Sequence, residues 1–335
     1  MSSLRRSLLP ALLALALVHV VAAQSANEQA QDKGIVVETA PAAAFLVLYL
    51  TATVVQWCLW FRHGRQAYML NLLVGMTCMT LGFLLRVKNN YAWQFLFTFL
   101  SPCAFLAHGY VVLKHIAKAL DREVSSACLF IPARGLVYIF VLSDVVTFMA
   151  QTAGTVLVII GGKWLSLGEK LAISGLALAL ASFSLFTVLL VVFTKRIRAR
   201  DSDVYFPRTS TRRSTFNPWS KEPVDDLRTL LVVLGLTCIA ILVRSVFRLI
   251  EQCDGFFGYI ATHEAYLYAF DSTPLWLGMA LFCVVWPPRH VAGLNAQQDP
   301  LLLSERGHVA PRGAAKHSGG ARARGGAGLE QLGGK

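Results

Sequence analysis

Seven stretches of apolar residues constrain what this chain of 335 residues can fold into. They cover approximately residues 42–61, 67–85, 92–116, 135–160, 171–193, 227–250 and 272–286. A helix needs about 20 residues to cross the hydrocarbon core, where backbone groups find no water to bind. The sequence therefore predicts an all-α, polytopic membrane protein, with a seven-helix transmembrane domain over residues 41–288.

The distribution of charge predicts the orientation of this bundle. The net charge is +12, although charged residues make up only 15% of the chain. Lys and Arg are concentrated after the first, third and fifth apolar segments, and positive loops stay on the cytosolic side. We therefore expect the N-terminus outside and the C-terminus in the cytosol. We expect no nucleic-acid partner, because the charge lies in loops between spans and in the tail.

The two ends of the chain differ from the apolar segments. Residues 1–23 read as a signal peptide, with Arg5 and Arg6 before an apolar centre and small residues at the end. An uncleaved signal anchor is the alternative. Residues 24–40 are expected to form an extracellular segment. Residues 289–335, rich in Gly, Ala and Arg, are expected to form a disordered basic cytosolic tail.

The longest inner connection, residues 195–228, is dense in Arg, Ser and Thr. Basic clusters beside a helix end attract anionic lipid at about 1 kcal/mol per charge. The loop is therefore expected to contact anionic lipid of the inner leaflet. A role in setting topology alone is the alternative.

The sixth apolar segment carries Arg244, Arg248 and Glu251, spaced i, i+4, i+7 on one face of a helix. An ionisable side chain at the bilayer centre costs about 2.5–3.5 kcal/mol on insertion scales, so such residues usually have a function. Arg244 is expected several ångströms below the outer surface. Arg248 and Glu251 lie nearer the edge, where reaching outward to water is the alternative.

Polar residues recur at the same spacing elsewhere. Glu264, Tyr268 and Asp271 share one face if the seventh helix begins near Glu264. The alternative is an acidic outer loop in which Asp271 caps the helix. In the fourth segment, Asp144 and Gln151 also share a face. They face either a cavity or a hydrogen-bonding partner on another helix.

Several catalytic signatures are absent from the sequence. The chain has no G-x-x-x-x-G-K-[ST] loop, no zinc-like His or Cys spacing and no G-x-S-x-G turn. We therefore expect no metal, no cofactor and no enzymatic activity.

The order of these motifs resembles the fungal lipid-translocating exporter family, which includes aminocholesterol-resistance and sphingoid long-chain-base resistance proteins. The most specific stretch is RSVFRLIEQCDGFFGYIATHEAYLYAFDSTP at residues 244–274. Weaker matches are SDVVTFMAQTAG at 143–154, SPCAFLAHGY at 101–110 and LGFLLR at 81–86.

The resemblance implies transport of amphipathic lipids and tolerance of toxic ones, at the fungal plasma membrane or an internal membrane. The expected partners are membrane lipids or other amphipathic small molecules. We expect a polar cavity in the outer half of the bundle, bounded by the fourth, sixth and seventh segments. A cationic amine would meet its acidic groups, and a phosphate headgroup would meet its arginines. The alternative is a seven-helix lipid receptor that moves nothing. The substrate-binding candidates are Asp144, Gln151, Arg244, Arg248, Glu251, Glu264, Tyr268 and Asp271.

Overall fold

The computed structural model describes residues 39–88, 91–120, 133–160, 162–200, 205, 218–224, 226–254 and 264–298. The predicted signal peptide, extracellular residues 24–38, most of the loop 201–226 and the tail from 299 lie outside them. Within these ranges the chain forms helices and no strand. The helices are α1 (Thr39–Arg62), α2 (Leu70–Val87), α3 (Tyr91–Ala119), α4 (Ala133–Ile160), α5 (Leu165–Arg200), α6 (Leu227–Asp254), α7 and α8 (Pro287–Gln298).

Helix α7 consists of three consecutive parts, Glu264–Tyr266, the π-helical Leu267–Ser272 and Thr273–Val284. Among the described residues, seven helices are long and apolar enough to cross a membrane, and they are α1 to α7. The prediction of an all-α, seven-helix membrane protein is therefore confirmed. The orientation of its ends stays a prediction.

Helix α5 is longer than the apolar pattern predicts. Its 36 residues measure about 54 Å at 1.5 Å per residue, against a hydrocarbon core about 30 Å thick. The basic residues 195–200 are therefore the last turns of a helix and not the start of a loop. The predicted contact of residues 195–228 with anionic lipid stays a prediction.

Helices α4 and α5 approach each other through glycines. A Cβ added at Gly154 of α4 would lie 2.7 Å from the Gly168 carbonyl oxygen and would overlap the backbone nitrogen of Ala172. A Cβ added at Gly175 would lie 3.0 Å from Cγ of Gln151. Small residues let helix backbones touch in lipid, where packing replaces the hydrophobic effect. This contact fixes how far apart α4 and α5 stand.

Helix α8 closes the end of the bundle that lies opposite the start of α1. The Arg289 side chain donates a hydrogen bond to the Glu222 carbonyl (3.1 Å), and the His290 ring donates one to the Asp226 carbonyl (2.9 Å). Asp226 also caps α6, because its Oδ1 accepts from the Thr229 backbone N–H (3.0 Å). Both Arg289 and His290 are buried. The expectation of disorder from residue 289 is therefore wrong for residues 289–298, because these contacts hold them in α8.

The closed end should loosen in acid. Burial lowers the pKa of His290 from 6.5 to about 4, so the folded protein favours the neutral ring. The contribution of His290 to stability is complete above pH 6.5 and falls as the pH drops toward 4, by up to about 3 kcal/mol. We expect the melting temperature of the purified protein to fall more steeply between these values than that of His290→Gln. Parallel pH profiles of the two proteins would contradict this.

Candidate functional site

A cavity of about 290 Å³ lies between α3, α4, α5 and α6. The cavity lies close to the last residues of α4 and α6 and to the first residues of α3 and α5. This is the side of the bundle at which α1 begins. Most of its wall is apolar, and the apolar lining includes Phe99, Pro102, Leu106, Phe148, Leu176 and Ile241.

Two arginines of α6 hold one carboxylate of α7. Arg244 Nη1 lies 2.6 Å from Asp271 Oδ2, and Arg248 Nε lies 2.6 Å from Asp271 Oδ1. Arg248 Nη1 also binds Glu251 Oε2 at 3.0 Å, three residues along the same helix. Charge-assisted bonds of this length are among the strongest in proteins. The four side chains form one ion cluster, whose two positive and two negative charges cancel.

The depth of the ion cluster varies along α6. The side chains of Arg244 and Asp271 are 6% and 1% exposed, whereas those of Arg248 and Glu251 are 27% and 20% exposed. Arg248 does more than reach outward, since its Nε binds the buried Asp271. Removing one member of such a buried pair leaves an uncompensated charge, which costs about 3–5 kcal/mol.

A proline on α3 supplies a further contact for Arg244. Proline has no N–H, so Pro102 leaves the carbonyl four residues earlier, at Thr98, without its helical donor. Arg244 Nη2 donates to this Thr98 oxygen at 3.4 Å, and Ser101 Oγ donates to it at 3.1 Å. Helix α3 is thereby joined to the ion cluster.

Asp144 of α4 lines the cavity. Of the residues that the structure describes, none places a cation within ion-pair distance of its carboxylate. Its neighbour on α3 is the buried Tyr110 hydroxyl. Gln151, two turns along the same face, also lines the cavity. Because the arginines are neutralised within their cluster, the cavity presents a net negative charge at Asp144.

The π-helical part of α7 turns its polar residues away from the cavity. Tyr268 accepts a hydrogen bond from Arg86 Nε of α2 (3.0 Å), and its ring stacks on Phe45 of α1 with centroids 5.2 Å apart. The wider i→i+5 turn sets Tyr268 and Asp271 on different sides of α7, so these two residues do not share the predicted face. Tyr268 therefore faces α1 and α2, while Asp271 faces α6.

The predicted cavity walls need correction. Among the described residues, α7 contributes none to the lining, and α3 and α5 take its place beside α4 and α6. Asp271 lies behind the wall with both oxygens bound to the arginines, so it supports the cavity from outside. The side chain of Glu264 lies outside the part that the structure describes. The five candidates that line the cavity are Asp144, Gln151, Arg244, Arg248 and Glu251.

Several other lining residues are not among the candidates chosen from the sequence, although Cys103 and Thr147 lie within the quoted motifs. Thr98, Cys103 and Thr147 look like ordinary polar or small residues of an apolar helix, yet they border the cavity. Arg86 had a signal, since it ends the LGFLLR motif, but its partner Tyr268 is 182 residues away. Within the described ranges, no group of His, Cys, Asp and Glu has an arrangement that could hold a metal ion.

The fold and the cavity define a class: polytopic membrane proteins of seven helices with a polar site buried at one end. Residues 72–293 match the family described as RTA1 like protein, and the chain belongs to this family, which confirms the family resemblance of its motifs. It is a family of membrane transport and resistance proteins and not a known enzyme family.

Three relatives come from Saccharomyces cerevisiae. Protein RTA1 is 30% identical over 222 residues, which are 63% of this chain and 62% of that protein. Protein RTM1 is 27% identical over 195 residues, covering 58% and 56% of the two chains. Protoporphyrin uptake protein 1 is 27% identical over 194 residues, covering 58% and 57%. The chain thus spans about three fifths of the length of these relatives. No solved structure matches it.

Proposed function

We propose that this protein moves amphipathic lipids bearing a cationic amine, such as sphingoid long-chain bases or sterol-like amphiphiles, across the membrane and so confers tolerance of them. One observation carries the proposal. Asp144 is a carboxylate without a cationic partner among the described residues, in the wall of a mainly apolar cavity at membrane depth. A partly buried carboxylate that lacks a cationic partner is costly, and an ammonium group would relieve that cost.

The surroundings of Asp144 suit a lipid headgroup. The Gln151 amide and the Thr147 hydroxyl border the same space and can bind the hydroxyl groups that flank an amine. At roughly 30 Å³ for a water-sized group, the 290 Å³ holds about ten such groups. The cavity therefore accepts the head and first carbons, and a long chain stays among the membrane lipids.

The charge balance favours a cationic substrate over an anionic one. One relative is named a protoporphyrin uptake protein, and porphyrins of that kind carry carboxylates. In this chain Arg244 and Arg248 are already bound by Asp271 and Glu251, so an incoming anion has to displace a bound carboxylate. An amine meets Asp144 directly. The cationic substrate is therefore the one we propose.

The proposed setting follows from the predicted orientation. With the N-terminus outside, the cavity opens in the outer leaflet of the fungal plasma membrane. The basic residues 195–228 then face anionic lipid of the inner leaflet, which would hold that end of α5 at the surface.

Asp144→Asn tests the proposal in liposomes of the purified full chain with fluorescent long-chain base. The substitution keeps shape and removes the charge. A hydrogen bond to a charged group contributes about 1.5–3 kcal/mol, so we expect transbilayer movement to fall by roughly 10- to 100-fold. Glu169→Gln makes the same acid-to-amide change at an exposed site near the start of α5, and we expect it to keep the wild-type rate.

Two results would contradict the proposal. The first is equal rates for wild type and Asp144→Asn. The second is wild-type protein that binds the labelled base but moves none of it, which would indicate the lipid receptor instead.

A further inference from the structure

Buried polar atoms without a hydrogen-bond partner concentrate in one region of the described chain. Five of the six such atoms are Gln56 Oε1, both ring nitrogens of His108, Trp286 Nε1 and His290 Nε2. They belong to different helices, yet all lie beside the second half of α7 or in α8. The sixth atom is the Tyr110 hydroxyl, on the cavity side.

Contacts place these groups around α7. Gln56 of α1 donates from Nε2 to the Met279 carbonyl at 2.9 Å. The His108 ring of α3 meets Phe282 edge to face, with centroids 4.9 Å apart. Trp286 lies in the break between α7 and α8, with its ring centroid 6.4 Å from that of His63. The unpaired atoms thus run from the middle of the bundle to the end that α8 closes.

Unpaired buried atoms of this kind indicate internal water. Each costs about 1–3 kcal/mol if it stays unpaired, and the large majority of buried side-chain polar atoms in proteins have a partner. A buried water needs two to four polar neighbours. Water bound at these atoms would satisfy them, and they lie at successive levels beside α7 and α8.

His108 is the titratable member of this set at membrane depth. Its side chain is fully buried, and its two ring nitrogens can accept one proton and donate another. The nearest titratable groups along the two helices in contact are Cys283, which follows Phe282 on α7 and donates to the Ala52 carbonyl, and Tyr110, two residues along α3. The α8 end adds His63, Asp226, Arg289 and His290. No carboxylate or cation of the described residues forms an ion pair with His108.

We propose that water admitted at the α8 end carries a proton to His108, and that protonation of His108 couples lipid movement to a proton gradient. The step adds one proton to the free lone pair of the ring and later returns it to water, with no other bond changed. Helix α3 connects the two sites, since its Pro102, Cys103 and Leu106 line the lipid cavity. This inference rests on the proposed transport function.

The test uses liposomes of the purified full chain with fluorescent long-chain base and a pH-sensitive dye inside. We expect gradients of opposite sign to change the wild-type rate of lipid movement severalfold, with a matching dye signal. In His108→Gln, which binds water but not a proton, the ratio of the two rates should fall to one. His115→Gln makes the same change two turns along α3, where Nδ1 is already bound to the Val111 carbonyl, and should keep the wild-type ratio.

A wild-type ratio in His108→Gln would overturn the inference, as would wild-type movement that ignores the gradient. If the wild type moves no lipid at all, the transport proposal fails instead. The protonation of His108 is then tested separately by the NMR shifts of its ring nitrogens. These signals are assigned by comparison with His108→Gln. Ring nitrogens that show no protonation between about pH 8 and pH 5 would contradict it.

Discussion

Arg244→Gln is expected to destabilise the folded bundle by about 3–5 kcal/mol. The substitution removes the 2.6 Å ion pair with Asp271 and leaves that carboxylate, which is 1% exposed, with Arg248 alone. The contact with the Thr98 carbonyl is weakened as well. The measurement is thermal unfolding of the purified protein in detergent, together with its abundance at the cell surface.

A double variant separates the charge from the side chain. Arg244→Gln combined with Asp271→Asn removes both charges, and Arg248 keeps Glu251 as its partner. We expect it to recover part of the lost stability, because the uncompensated carboxylate is gone. Arg198→Gln, at an exposed site near the end of α5, is the control and should melt like the wild type. Equal losses in the single and double variants would show that the ion pair is not the cause.

Gly154→Ala is expected to separate α4 from α5 and to cost about 3 kcal/mol, the upper part of the range for overpacked cores. The added methyl group would overlap the Ala172 backbone and lie 2.7 Å from the Gly168 oxygen, and backbone atoms cannot rotate away. Because Gln151 and Ala172 both line the cavity, lipid movement should fall with stability.

Gly235→Ala is the matched control. An added Cβ there has nothing within 4 Å, so the change should be neutral or slightly stabilising, as expected for alanine in a helix. Opposite signs for the two glycines, read from melting temperatures, are the predicted result. Similar effects would mean that the α4–α5 contact is loose enough to adjust.

The spanning helices could be predicted from the sequence because lipid imposes one simple requirement, a run of apolar residues of fixed length. The grouping of Arg244, Arg248 and Glu251 could be predicted too, since helical spacing alone puts them on one face. The direction of the Tyr268 side chain could not be predicted, because the π-helical part of α7 changes the direction in which its side chains point. The contribution of α3 and α5 to the cavity wall could not be predicted either. Their apolar and small lining residues resemble residues that only pack against neighbouring helices. The packing order of helices depends on contacts between distant residues.

The glycine contact between α4 and α5 and the ion cluster of α6 and α7 act on different properties of the same cavity. The glycines set how far apart its α4 and α5 walls stand, and the ion cluster neutralises its arginines, which leaves Asp144 as the charged group of the wall. The glycine contact joins α4 to α5 and the ion cluster joins α6 to α7, so a change in one contact need not disturb the other. Under the proposed function, single methyl groups at the glycine contact would alter the size of the transported molecule while the preference for its charge stays the same.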